Sequence, residues 1–372
     1  MKIEIEKKDL INLIGKTQNI VEKRNTMPVL VNILLETDKN RLRVFATDLE
    51  VSLTDVANVK VITEGKVAVS AKNLFDITKE LLDGPIHLLK KENNWLEIKQ
   101  GKYHSKIVGI SADEYPVFPA YKGQNFIKMD AMELRDMIDK TIYSICTDET
   151  RYHLNGVYFE QKSEGNYIMV ATDGHRMSLI HKEIATTNKL SASGANSGVI
   201  IPKKGLFEIK KMIDAIDGTI EVAIEGSQII VKNNETILMT RLIEGKFPNY
   251  QQFIPQKLTQ KISINREMFL SSLKRVSLLA NYKSKAVTLS LSKGKMEITS
   301  NNPELGDAKE ELEVTYDGKD LKIGFNAKYI TDVLTAIKDE EIDFEINDQL
   351  SPGLMRPHND KNYTCVVMPM RI

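Results

Sequence analysis

In 372 residues, 51 lysines and arginines are balanced by 51 aspartates and glutamates, and a net charge of zero excludes a simple polybasic nucleic-acid binder. No apolar run is long enough to cross a bilayer. The opening MKIEIEKKDL lacks the apolar stretch of a secretory signal, so a cytoplasmic location is expected.

The elements in chain order form a repeat. KDLINLIGKTQNIV places Leu10, Leu13, Ile14, Thr17, Ile20 and Val21 on one face, the i, i+3, i+4 spacing of a helix. VNILLETDKNRL and VFATDLEVSL follow as strand, polar turn at Asn40, and strand. VAVSAKNLFDITKELL then reads as a short strand, a polar break and a short amphipathic helix, and IHLLKKENNWLEIKQGKYHSKIVGI as further strands. The order returns with MELRDMIDKTIYSI, whose face is Leu134, Met137, Ile138, Thr141, Ile142 and Ile145. NGVYFEQKSEGNYI and MVATDGHRMSL turn at Gly165-Asn166, and VIIPKKGLFEIKKMI and IEVAIEGSQIIVKNNETILMTRLI complete the second copy.

A third copy begins at REMFLSSLKRVSLLA, with Phe269, Leu270, Leu273, Ser277 and Leu279 or Ala280 on its face. VTLSLSKGKMEITSNN turns at Gly294 and puts Thr299-Ser300-Asn301 where Ala-Thr-Asp stood. LKIGFNAKYITDVLTAI and the final strands close it. Three domains of about 120 residues are therefore expected, at 1–121, 122–252 and 253–372. Their joints are the Pro-containing EYPVFPAYKG and KFPNYQQFIP.

Because Ala-Thr-Asp recurs, it is architectural, a strand ending in a turn whose Asp bonds nearby backbone. His175 and Arg176 remain as residues special to the middle copy. Gly15-Lys16-Thr17 resembles the tail of a phosphate loop, but the glycine needed five positions earlier is replaced by Leu10. No Gly-x-Ser-x-Gly elbow exists, and the six histidines show no ligand spacing, so no metal or cofactor is expected. A hydrolase using Asp173 and His175 stays as an alternative, since triads are defined by geometry. Cys146 and Cys365 are too few for a disulfide framework and read as reduced core residues.

The C-terminus CVVMPMRI is apolar to its last residue. Cys365 to Val367 reads as a final edge strand, since Pro369 removes a ladder donor. Met368 and Met370 suit a groove that accepts several partners. Basic residues recur at matching places in all three copies: Lys7, Lys8, Lys16, Lys23 and Arg24; then Lys203, Lys204, Lys210 and Lys211; then Lys274, Arg275, Lys283 and Lys285. The recurrence points to a shared basic surface.

Across its whole length the chain resembles the bacterial DNA polymerase III sliding clamp, the beta subunit. The resemblance rests on TMPVLVNILLE, ATDLEVSL, RYHLNGVYFE, VATDGHRMSL, VIIPKKGLFEI, GKFPNYQQFIP, TSNNPE and VVMPMRI, in that order. It implies an α+β fold of three repeated clamp domains, helices inside and sheets outside. Two chains would close head to tail into a ring around duplex DNA, and the function would be a non-enzymatic processivity factor. A clamp-fold scaffold that never encircles DNA is the remaining alternative.

Carried over by position, the partner-peptide pocket is Leu154, Thr172, Gly174, His175, Arg176, Met177, Pro248, Val366, Met368, Pro369, Met370 and Arg371. Gln252 and Phe253 belong to it too, standing where many relatives have arginine and a smaller aliphatic. Its occupants would be short linear peptides of the polymerase catalytic subunit, the clamp loader, other polymerases and repair proteins. DNA contacts are Arg24, Tyr152 and His153, with Lys203 and Lys204 positioned to join them. Ile107, Leu278 and Leu279 fall at the dimer contact.

Overall fold

The computed structural model describes residues 1–21, 27–123, 125–186, 190, 198–214, 216–358 and 360–371. The chain folds as two compact units, one built chiefly of Met1–Met132 and Lys204–Leu242, the other chiefly of Glu133–Ala185 and Ile243–Ile372. Among the described residues no helix is long and apolar enough to cross a membrane.

The first unit holds a five-stranded sheet in the order Lys60–Thr63, Lys2–Glu6, Pro85–Lys90, Leu96–Gln100, Tyr103–Ile107. Its second sheet has nine strands: Gly109–Ile110, Lys66–Ser70, Asn32–Asp38, Arg41–Thr47, Val51–Asn58, Thr236–Arg241, Gln228–Asn233, Thr219–Glu225, Ile127–Asp130. In the other unit, an eight-stranded sheet runs Val199–Pro202, Gly156–Ser163, Asn166–Thr172, Arg176–Glu183, Tyr363–Val367, Gly353–Pro357, Glu341–Ile346, Gln260–Asn265. A four-stranded sheet runs Gly306–Glu313, Lys295–Asn302, Ala286–Ser292, Leu321–Asn326.

The middle repeat thus contributes strands to both units. Val51–Asn58 of the first repeat pairs with Thr236–Arg241 of the second, and Arg176–Glu183 of the second pairs with Tyr363–Val367 of the third. Tyr363–Val367 is therefore central, paired also with Gly353–Pro357, and the expected edge strand is corrected. Pro369 lies beyond the strand's end, where its missing donor costs the ladder nothing.

Strand alternation fixes the repeat. Leu42, Val44 and Ala46 are fully buried on one face of Arg41–Thr47, and Tyr167, Met169 and Ala171 on the matching face of Asn166–Thr172. In Lys295–Asn302 the same places belong to Met296, Ile298 and Ser300. Ser300-Asn301-Asn302, one residue later than the pattern suggested, therefore stands in place of Ala-Thr-Asp. The turn confirms the correction: Asp48 Oδ1 accepts from Glu50 N at 2.9 Å, Asp173 Oδ1 from His175 N at 2.9 Å, and Asn302 Oδ1 from Glu304 N at 3.0 Å. All three are the side-chain-to-backbone turn that Asp and Asn favour.

Among the described residues the α-helices are α1 (Lys7–Gly15), α2 (Ala71–Glu80), α3 (Ala131–Asp139), α4 (Lys203–Ile213), α5 (Arg266–Val276) and α6 (Ala327–Ala336). Ser70, Asn265 and Asn326 cap α2, α5 and α6 through their side chains. α1 and α3 end sooner than their apolar spacing suggests. Thr17 and Thr141, both fully buried, turn their hydroxyls back to the Ile14 and Met137 carbonyls, so the apolar period continues beyond the α-helix, through turns after α1 and a short 3-10 helix, Ile142–Ser144, after α3. In the Gly15-Lys16-Thr17 stretch Thr17 is accordingly core, while exposed Lys16 puts its Nζ 2.6 Å from Asp55. The strands Lys2–Glu6, Ile127–Asp130 and Gln260–Asn265, which precede α1, α3 and α5, were not legible as separate elements.

Candidate partner-binding groove

The outward face of the eight-stranded sheet is apolar where a solvated face would be polar. Leu154, Val170, Met177, Ile200 and Val366 cluster there with Cys146, and the chain at 247–254 lies over them through Phe247 and Tyr250. Tyr158 stacks on Phe247 at 5.1 Å between centroids. The Pro-containing stretch expected to join the second and third domains is packed against this cluster. Pro248 is half-buried beside it, Gln252 is exposed, and Phe253 is 54% exposed.

The opposite rim is the chain end. Met368 N donates to the His175 carbonyl at 2.9 Å and Met370 N to the Gly324 carbonyl at 2.8 Å. Two backbone anchors, with Pro369 between them, hold the segment while leaving the Met368 side chain 41% exposed. Pro369 and Met370 are half-buried and Arg371 is exposed.

The Asp173–Arg176 turn joins the rim to the sheet. Thr172 Oγ1 donates to the Arg176 carbonyl at 2.7 Å and accepts from Gly174 N at 3.1 Å. Gly174 has φ +87°, and a Cβ there would stand 2.9 Å from the Arg151 guanidinium, so glycine answers both backbone and space. His175 is exposed on top. Asp173 spends Oδ1 on the His175 and Arg176 amides and Oδ2 on Arg176 Nε. It does not orient the imidazole, so the Asp–His dyad of a hydrolase is not assembled.

Arg176 is placed differently from a ligand-facing cation. Its side chain is 7% exposed. It donates to Asp173 at 3.1 Å, to Asp332 at 2.6 Å and to the Tyr143 carbonyl at 2.5 Å. The guanidinium also lies 4.6 Å from the Tyr329 ring centroid and 5.4 Å from that of Tyr143. It clamps the turn onto α6 from below. Below it, Tyr143, Tyr363, Ser178 and Cys365 form a buried hydroxyl–thiol network. Burial pushes the Cys365 thiol and both phenols up, so Cys365 is the inert core thiol expected. Sequence reasoning missed Tyr143, Phe247, Tyr250, Tyr329 and Asp332; only the aromatics inside the Pro-containing stretch left a signal.

The first unit repeats the construction on its nine-stranded sheet, where Tyr115 and Phe118 lie over Phe45. Phe45 meets the Phe118 ring at 5.0 Å, edge to face, and by strand register it occupies the place of Val170. Unlike Val170, which is fully buried, Phe45 lines with Tyr115 and Phe118 a cavity of about 420 Å³.

Of the expected DNA contacts, Tyr152 is 57% exposed and packs edge-on against His153. Lys203 is half-buried at the start of α4. The Lys204 ammonium is paired with the buried Asp48 carboxylate. Arg24 lies outside the described residues. Ile107 is buried at the end of the open Tyr103–Ile107 edge, Leu278 is 76% exposed after α5, and Leu279 is half-buried.

Three family domains match the chain in order: the DNA polymerase III beta subunit N-terminal domain over 1–119, the central domain over 128–249 and the C-terminal domain over 251–371. The chain belongs to the DNA polymerase III beta subunit family. Beta sliding clamps of Caulobacter vibrioides and Rickettsia felis are each 32% identical to it, with both chains covered over 100% of their length. Among solved structures, DNA polymerase III subunit beta from Pseudomonas aeruginosa matches with TM-score 0.94 at 30% identity. A DnaN sliding clamp from Bartonella birtlesii, bound to griselimycin, matches with TM-score 0.92 at 32% identity. Each covers 100% of both chains. The family members share the three clamp domains of mixed helices and sheets.

Proposed function

We propose that the protein is a sliding clamp: a cytoplasmic, non-catalytic processivity factor whose three domains meet near residues 121 and 252. Two copies closed head to tail encircle duplex DNA and carry polymerase, clamp loader and repair proteins by short peptides held in the groove of Leu154, Val170, Met177, Val366 and Met368. The carrying observation is the way the repeats join. Each internal junction is a continuous sheet, and among the described residues Tyr103–Ile107 and Gly306–Glu313, which hold the equivalent places in the first and third repeats, are left as edge strands. A second copy satisfies both.

A ring answers a kinetic need. Non-specific phosphate contacts give a dissociation constant of about 10⁻⁵ M, which with association near ~10⁸ M⁻¹s⁻¹ lasts about a millisecond. Encirclement keeps the protein on DNA by topology while each contact stays weak enough to slide. Helices laid across phosphates read no base edges, so no sequence preference follows. Tyr152, His153 and Lys203 serve that surface.

The test is retention on DNA. Protein loaded on a circular plasmid stays bound through gel filtration in high salt and leaves when the circle is cut once. Equal release from circular and linear DNA would favour the scaffold that never encircles. Griselimycin, the ligand of the Bartonella protein, serves as the probe for the groove.

A further inference from the structure

A second opening lies on the outward face of the nine-stranded sheet, wholly within the first unit. Strand register lays out its floor. Leu34 faces Phe45, Phe45 faces Thr54 and Thr54 faces Ile237, one row across four strands. In the next row Arg43 faces Glu36 on one side and Val56 on the other. The chain at 115–121 forms the wall, with Phe118 edge-on to Phe45 at 5.0 Å and Val117 91% exposed. The volume of about 420 Å³ is that of a small-ligand pocket.

Two polar groups in this lining are unspent. Thr54 is 8% exposed, and its Oγ1 has no hydrogen-bond partner among the described residues. A buried hydroxyl left unpaired costs free energy that a bound group can recover. Arg43 is exposed and enters no ion pair among the described residues, whereas Lys66 holds Asp113 at 2.9 Å and Glu235 is held by Arg41 at 3.6 Å. Thr54 and Arg43 are diagonal neighbours on one face, about 7–8 Å apart by sheet geometry. The groove of the other unit offers neither group. By register Leu179 stands there in the place of Thr54 and Ile168 in that of Arg43.

We propose that this cavity holds an extended peptide of a partner protein through one tryptophan or tyrosine and an acidic residue two places away. The ring fills the space over Phe45, Val56 and Ile237, and its N–H or O–H donates to Thr54 Oγ1, as a buried ring with a polar tip requires. The carboxylate meets Arg43. Alternate residues of an extended chain share one side and lie about 6.5–7 Å apart, which matches the spacing of the two anchors. An aliphatic anchor would leave the Thr54 hydroxyl unpaired, so the two sites of the chain select different peptides.

Calorimetric titration of the full chain tests this, with griselimycin in excess so that the groove is filled. The probe is the peptide acetyl-Gly-Trp-Gly-Asp-Gly-amide, which should bind saturably. Thr54→Val should weaken it about fivefold, the worth of one hydrogen bond, and Arg43→Glu about threefold or more. Thr54→Val should also raise the melting temperature of the free protein, because the hydroxyl it removes is idle there; a hydroxyl with a structural task would lower it. No binding, binding unchanged in either variant, or a lowered melting temperature would overturn the proposal. N-acetyltryptophanamide binding as tightly as the peptide would overturn it too, in favour of a small aromatic ligand. Griselimycin that fails to bind would count against the groove alone, since the same titration still reads the cavity.

Discussion

Arg176→Ala tests whether the turn beneath the groove is held by a buried cation. The substitution removes three donated hydrogen bonds and two ring contacts at 4.6 and 5.4 Å. It leaves the Asp173 and Asp332 side chains, 15% and 20% exposed, without their guanidinium. Breaking a buried ion pair from one side costs about 3–5 kcal/mol, and because both acids reach some water the lower end, about 3 kcal/mol, is expected. For a unit of this size each kcal/mol moves the melting temperature by about 2–4 °C, so calorimetry should record a fall of roughly 6–12 °C. Binding should fall too, because the turn carries the His175 carbonyl that anchors Met368. Griselimycin titration at 25 °C should show a loss of about tenfold or more, the equivalent of ~1.4 kcal/mol. Arg176→Lys keeps the charge but not the planar fork and should fall between. A melting shift under about 2 °C with unchanged griselimycin affinity would refute the reading that Arg176 holds the turn.

Val170→Phe puts a larger ring at a fully buried position under the cluster of Leu154, Met177 and Val366 and should cost about 1–3 kcal/mol for overpacking in thermal unfolding and weaken griselimycin binding; unchanged stability and affinity would show that Val170 does not support the groove. Gly205→Ala sets a methyl 2.7–2.8 Å from Thr240 side-chain carbons, and thermal unfolding should show a loss of about 1–3 kcal/mol. Glu97 is held by Lys99, His104 and Lys91 at about 2, well below the ordinary carboxylate value. A depressed folded value means that its contribution is present above about 4.5 and lost as pH falls towards about 2. Melting curves across that window should flatten in Glu97→Gln, and an unchanged acid limb would discount the cluster.

Periodicity and repetition were readable because they are local. The i, i+3, i+4 faces of KDLINLIG and MELRDMID, the alternation of RLRVFAT and the returning Ala-Thr-Asp turn need no knowledge of neighbours. Three copies followed from them, and the correction by one residue at Asn302 came only from which side chains the sheet buries. The resemblance named Leu154, Met177 and Val366, which the structure clusters, but the burial of Arg176 was not legible. Its polarity suggests a ligand contact, whereas its task is set by Asp332 and Tyr329, far away in the chain.

Sequence by itself determined the repeat, the amphipathic helices, the polar turns and the reduced cysteines, since each is written in spacing and residue type. Tertiary structure alone decided that Tyr363–Val367 is a central strand, that Phe247 and Tyr250 wall a groove, and that Lys204 is tied to Asp48. Strand neighbours and salt-bridge partners depend on which distant segments share a sheet. A linear pattern specifies which face of a strand is apolar and leaves open what that face will meet.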